Sequence, residues 1–309
     1  MDNKRNITRL LQFCTFLVFV GRGWQHLFWD VPLRTLLWDE SLLSGIVPVI
    51  TGMTWTEYAT SEGVDVFINY YKITLGVVYT CLGIFALLAH RVSLKPYRWL
   101  LIMGSTMLFG LAMLYSKEKF YQIGQLLEYS TQFGCPLFLY LILNESVSKK
   151  QLTLYMKFAI ALTFTCHGLY AVGFYPQPGD FVGMVIRILG VTEPIAKTLL
   201  ATFGWIDLGL AILLFVPNFA KYALTYATFW GVATAAARLW ANFYPEFLFP
   251  ILHQWTFEVL IRIPHGLLPF ILIYPIREYF KLPFLSKKPT SEYLQSTRIQ
   301  KSKEFSSSH

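Results

Sequence analysis

Eight stretches of this chain are each apolar for long enough to cross a bilayer, and that constrains its fold more than any other feature. Crossing takes roughly 20 residues of helix, and backbone polar groups in hydrocarbon must be satisfied within the segment. The runs fall near 8–29, 71–90, 99–115, 121–143, 153–174, 197–216, 222–242 and 249–277. The third is short, and the eighth is long enough for its ends to lie in the interface. Composition agrees. Of 309 residues, 55% are hydrophobic and only 14% charged, against about 25% charged in an ordinary soluble domain. A soluble chain of this size could not hide so much apolar surface, so soluble and disordered classes are both excluded. No small-residue cleavage site follows the first run, which is therefore expected to be a retained helix.

Charge sets the expected orientation. With the N-terminus inside, the inner segments hold 17 Lys/Arg and five acids, and the outer segments hold six Lys/Arg and ten acids. Positive charge marks cytoplasmic loops, so N- and C-termini are both expected on the cytoplasmic side of a plasma (inner) membrane. The net charge of +8 then reflects that asymmetry plus a basic tail, and nucleic acid is not an expected partner. Residues 30–70 form an outer insertion whose WDESLLSGIVPVI stretch is too short to span but apolar enough to lie on or re-enter the membrane. Asp39 and Glu40 are expected to start a helix there. Residues 285–309 are Lys/Ser-rich and expected to be a disordered cytoplasmic tail.

Self-comparison points to a duplication. LVFVGRGWQHLF (17–28) aligns with LTFTCHGLYAVG (162–173), placing Arg22 opposite His167 and Gly23 opposite Gly168. CLGIFALL (81–88) aligns with DLGLAILL (207–214), and LEYSTQFGCPLFLYLIL (127–143) with FEVLIRIPHGLLPFILI (257–273). The last alignment sets Glu128 opposite Glu258 and Gln132 opposite Arg262. Four helices per repeat is an even number, so the halves share one orientation and are parallel repeats. The expected domains are residues 1–150 and 151–284, followed by the tail.

The segments CHGLYAVGF (166–174) and GWIDLGLAILLF (204–215) resemble motifs of the DoxX-like and DoxD-like integral membrane proteins, best over 153–277. Typical members are single four-helix bundles associated with redox proteins, and the DoxD relatives form the membrane subunit of a thiosulfate:quinone oxidoreductase. The resemblance implies an all-α polytopic fold of about eight helices in two such repeats. It also implies a redox-associated membrane subunit that binds a quinone or similar amphiphile and works with a soluble or membrane partner. This chain departs from the pattern in its two repeats, its outer insertion, and Arg22 where the second half keeps His167.

Charge inside a span costs about 2.5–3.5 kcal/mol per residue on insertion scales, so each such group needs a role. The spans hold Arg22, Glu128, Asp207, Arg238, Glu258 and Arg262, with His26, His167, His253 and His265. Glu258, Arg262 and His265 follow i, i+4, i+7 spacing and share one helix face. Either they form a structural ion pair, or they handle an anion or a proton. The expected site is an outward-opening polar cavity. In it Glu258, His265, His167 and Asp207 take the proton-handling positions, with Asp207 supporting His167, and Arg238, Arg262, Arg22, His26 and Glu128 bind substrate. Two alternatives stay open: an enzyme acting on a lipid or isoprenoid headgroup, and a non-catalytic transporter or assembly factor.

The aromatic residues, 17% of the chain, suit an interfacial belt, with some left to line an apolar pocket. Cys14, Cys81, Cys135 and Cys166 lie within spans without a C-x-x-C pair, which argues against a thiol relay. No metal-ligand motif occurs, and no two helix-borne histidines occupy matching repeat positions, which disfavours haem b.

Overall fold

The computed structural model of the chain describes residues 2–279, so the expected 285–309 tail lies outside the described residues. Every regular element among them is helical. In order these are α1 (Asp2–Phe28), α2 (Arg34–Leu37), α3 (Glu40–Leu43), α4 (Val47–Thr51), α5 (Trp55–Thr60), α6 (Glu62–Leu88), α7 (Trp99–Glu118), α8 (Ile123–Glu128), α9 (Ser130–Asn144), α10 (Lys149–Ala171), α11 (Gly179–Leu189), α12 (Glu193–Leu213), α13 (Pro217–Trp240), α14 (Leu248–Leu260) and α15 (Pro264–Tyr279). The chain divides at residue 273 into a large unit and a short one that begins within α15. Arg22, Glu128, Asp207, Arg238, Glu258 and Arg262 all belong to the large unit.

Five segments are long and apolar enough to cross a membrane: Glu62–Leu88, Leu94–Glu118, Lys149–Ala171, Glu193–Leu213 and Pro245–Ile273. The other three expected spans fold as helices but fall short, each for a visible reason. In α1 the apolar run is interrupted by Gln12, Arg22, Gln25 and His26. The expected 121–143 span breaks at Tyr129, leaving α9 only 15 residues long. Much of α13 is Ala, Thr and aromatic residues with Arg238 near its end, which lowers its hydropathy.

Glycine sets the closest helix crossings. α1 runs along α6, and α10 along α12. A Cβ on Gly23 would lie 3.0 Å from the Gly76 carbonyl oxygen and 2.4 Å from Thr80 Oγ1; one on Gly168 would lie 2.8 Å from the Gly204 carbonyl. Only residues without a side chain let two backbones approach so closely. α13 meets α15 in the same manner, since a Cβ on Gly231 would lie 2.5 Å from the His265 carbonyl carbon. Around the first crossing, Val18, Phe19, Tyr79, Leu82 and Leu108 form a buried core.

The segment expected to form the outer insertion is a chain of short helices, α2 to α5, leading directly into α6. Asp39 caps α3 by accepting from Leu42 N–H, and Glu40 stands in its first turn, as a helix N-terminus favours. Val31 and Leu33 pack on Ile68 to hold the insertion down. Arg34 donates to Asp65 Oδ1 at 2.7 Å and Asp30 Oδ1 at 3.2 Å, and Lys117 pairs with Asp39. The hydrogen bond from Lys117 pulls the Asp39 carboxyl down to about 2.

Candidate functional site

Two helices break, each beside its charged residues. The α8–α9 break follows Glu128, and the α14–α15 break falls at Ile261–Ile263, where Arg262 sits. Pro264 has no N–H for the Leu260 carbonyl, which accounts for the second break. Glu128, Ser130, Thr131, Gln132, Ile261 and His265 are all buried. Irregular backbone at membrane depth is tolerated where protein covers it. α1 packs against α9 and α14, and α10 packs against α8 and α9. The residues of both breaks are therefore presented to α1 and α10, which carry Arg22 and His167.

Arg22 is 2% exposed. Its Nε and Nη2 donate to Gln132 Oε1 at 3.2 and 2.7 Å, and its Nη1 donates to Gln25 Oε1 at 2.6 Å. The guanidinium lies 4.9 Å from the Tyr129 ring centroid and 5.4 Å from that of Tyr115, so cation–π attraction adds to the hydrogen bonds. Gln25 Nε2 donates onward to the Tyr115 hydroxyl at 2.6 Å. A buried guanidinium with this many partners is held rigidly.

His167 Nε2 stands 3.2 Å from Glu128 Oε1, and Gln125 donates to the other carboxylate oxygen at 3.2 Å. The His167 ring stacks on His265 with centroids 5.3 Å apart. His265 Nδ1 pairs with Thr131 Oγ1 at 3.3 Å, and Thr163 Oγ1 donates to the Glu128 carbonyl at 3.1 Å. This half of the site joins α8, α9, α10 and α15.

Glu258 accepts from Arg262 Nη1 and pairs with Arg238 Nη1 at 3.8 Å. It also lies within electrostatic range of Arg22, and Glu128 lies within range of Arg262 and Arg238. Of the nine residues expected at the site, Glu258, Arg262, Arg238, His167, Arg22, Glu128 and His265 belong to one network.

Asp207 stands elsewhere. It is buried on α12 with Trp230 as its hydrogen-bond partner, and its Oδ1 has no partner among the described residues. The expected Asp207–His167 dyad does not form, because His167 is taken by Glu128. Position explains the difference: Glu128 is delivered by the α8–α9 break, which apolar periodicity does not reveal. His253 is also separate, with Trp24, Phe28 and Trp29 rings 5.0–5.7 Å away.

His26 leads to a different feature. Its Nδ1 lies 2.7 Å from the Arg22 carbonyl oxygen and its ring 5.0 Å from that of Tyr79. It lines a cavity of about 340 Å³ between α1, α2, α6 and α7, walled by Leu33, Phe67, Tyr71, Tyr79 and Leu111. The cavity is mainly apolar, and the polar network lies one helical turn away along α1. Leu33, Leu36 and Leu37, at and within α2, form part of its wall.

Gln25, Gln132, Tyr115, Tyr129, Thr131 and Thr163 were not legible as site residues, being common types in unremarkable spacing. One signal did exist, the alignment of Gln132 with Arg262. Comparison of the chain with family models, curated proteins and solved structures returns no match.

Proposed function

We propose that this chain is a polytopic membrane protein of DoxX-like architecture, two parallel four-helix repeats with both termini cytoplasmic, that binds a quinone or similar amphiphile as a redox-associated membrane subunit. The observation that carries the ligand reading is the cavity of about 340 Å³ beside His26. Ligand pockets are typically apolar with a few placed polar groups, in a range of about 300–1,000 Å³, and this one fits that description. His26 Nδ1–H donates to the Arg22 carbonyl, which assigns Nε2 as a hydrogen-bond acceptor. An acceptor on the wall suits the hydroxyl of a reduced quinone, and the hydroxyls of Tyr71 and Tyr79 can donate to the carbonyl of an oxidised one.

Support for the repeat reading comes from paired features. Gly23 and Gly168, aligned by sequence, each anchor a glycine–glycine crossing, to Gly76 and Gly204. The fourth helix of each half is broken, and the aligned acids Glu128 and Glu258 stand at or just before the breaks. The 17 inner against six outer basic residues support the orientation.

The test is a titration of the delipidated full chain in detergent with a short-chain benzoquinone and its quinol, read as the midpoint of thermal unfolding. Gly110 lines the cavity, and a Cβ there meets nothing within 4 Å, so Gly110→Phe should fill the space without disturbing the fold. The parent should show a saturable rise in midpoint that Gly110→Phe lacks. No rise in the parent, or an equal rise in a normally folded Gly110→Phe, would overturn the reading.

A further inference from the structure

The polar network between the two broken helices is unbalanced in both charge and hydrogen bonding. Its guanidiniums are Arg22, Arg238 and Arg262, and its carboxylates are Glu128 and Glu258, tied together by ion pairs and electrostatic neighbours. Three guanidiniums against two carboxylates leave an excess of positive charge in a protein interior, an arrangement that is costly without a counter-charge.

Three side chains of this network also carry unmet hydrogen-bonding atoms. Arg238 Nε, Arg262 Nε and His265 Nε2 are buried and have no partner among the described residues. Glu258 engages Nη1 of both arginines, so the Nε edge of each guanidinium is uncommitted. That edge, one Nε–H beside one Nη–H, is the fork that binds carboxylate or phosphate through two parallel hydrogen bonds. At His265, Nδ1 pairs with the Thr131 hydroxyl at 3.3 Å; with Thr131 donating, Nε2 carries the hydrogen and is a third free donor. The Gly231 crossing brings α13 against the His265 backbone, and Arg238 follows Gly231 by seven residues, on the same face of α13.

We infer that Arg238, Arg262 and His265 form a binding site for one oxyanion group, a carboxylate or phosphate, which supplies the missing negative charge and accepts their free N–H groups. This site is separate from the cavity beside His26 and does not rest on the amphiphile reading. A free anion and the headgroup of an anionic lipid share the same chemistry here.

The experiment measures thermal unfolding of the full chain in neutral detergent with chloride as the only anion, then with added inorganic phosphate or acetate. A second arm uses nanodiscs of phosphatidylcholine alone or with phosphatidylglycerol. Parent protein should show a saturable midpoint rise with one of these probes. A rise with phosphate or acetate indicates a free anion, and a rise only with phosphatidylglycerol a lipid headgroup. Arg238→Gln should weaken the response at least tenfold, and Arg238→Lys should restore part of it. Arg34→Gln, on the outer insertion, should leave the response unchanged. Should Arg238→Gln fail to fold, His265→Leu provides the same reading, because it removes one of the three proposed donors and leaves both guanidiniums in place. A parent indifferent to all three probes, or a folded Arg238→Gln or His265→Leu that responds like the parent, would overturn the proposal.

Discussion

His167 Nε2 lies 3.2 Å from Glu128 Oε1, joining the last turn before one helix break to the helix that opens the second half of the chain. Both side chains are largely buried. The pair is thus a bond between halves, made where α10 packs on α8 and α9.

Breaking it from one side should be costly, because the partner is left buried and uncompensated. Glu128→Ala is expected to destabilise by about 3–5 kcal/mol. The double variant with His167→Ala should lose less than the sum of the two single losses, with a coupling of about 0.5–3 kcal/mol. Chemical unfolding in detergent with a double-mutant cycle measures this, and strictly additive losses would show that the two side chains do not interact.

Arg22 makes three hydrogen bonds to two buried glutamines, and hydrogen bonds to charged groups are worth about 1.5–3 kcal/mol each. Arg22→Met is therefore expected to cost about 3 kcal/mol or more. Adding Gln132→Leu should recover part of the loss, since an apolar pair replaces an orphaned carbonyl. Unfolding midpoints of the single and double variants give the comparison.

Glycine positions make a steric prediction with an internal control. Gly23→Val and Gly168→Val place side-chain atoms on a neighbouring backbone and should each cost about 1–3 kcal/mol or more. Gly209→Ala, where a Cβ meets nothing within 4 Å, should be neutral or slightly stabilising in its helix. Equal stability of all three variants would remove the close crossings from the account.

Acid should loosen the short helices α2 to α5. Lys117 holds the Asp39 carboxyl down at about 2, below its unfolded value near 3.9. A carboxyl depressed in the folded state adds stability that is complete above its unfolded pKa and fades as pH falls through the folded one. Amide hydrogen exchange at residues 39–43 should be slow down to about pH 4 and accelerate between about pH 4 and 2. Lys117→Met should move that acceleration to higher pH, and an unchanged profile would remove the pair from the anchoring of the insertion.

Orientation can be read with two introduced thiols. In a Cys81→Ser background the three remaining native cysteines are buried. Ser44→Cys should then react with an impermeant maleimide added from outside, and Ser146→Cys should not. The reverse pattern would invert the proposed topology.

Much of this arrangement was legible in the chain, and the missing parts have physical causes. Hydropathy located the long helices, five of them long and apolar enough to cross a membrane, but not short ones such as α11. Cost identified the side chains: Arg22, Glu128, Arg238, Glu258 and Arg262 stood out because charge in a span is expensive. Partners were harder, since His167 meets Glu128 across 39 residues and Thr131 meets His265 across 134, and no local periodicity encodes such pairings. The breaks were only half visible. Pro264 marks the second, but the first falls at Tyr129 while Pro136 sits inside α9 without ending it. The expected support of His167 by Asp207 has no local pattern behind it, and Glu128, delivered at a break, is the partner instead.

The central claim, that this chain carries an amphiphile beside His26, is tested most directly by mass spectrometry of what remains bound after gentle purification. Parent protein and Gly110→Phe would be extracted from membranes in mild detergent, matched for folded content, and their small molecules quantified. The account predicts a quinone-type amphiphile near one per chain in the parent and at least tenfold less in Gly110→Phe. Equal amounts in both proteins, or no such molecule in the parent, would contradict it.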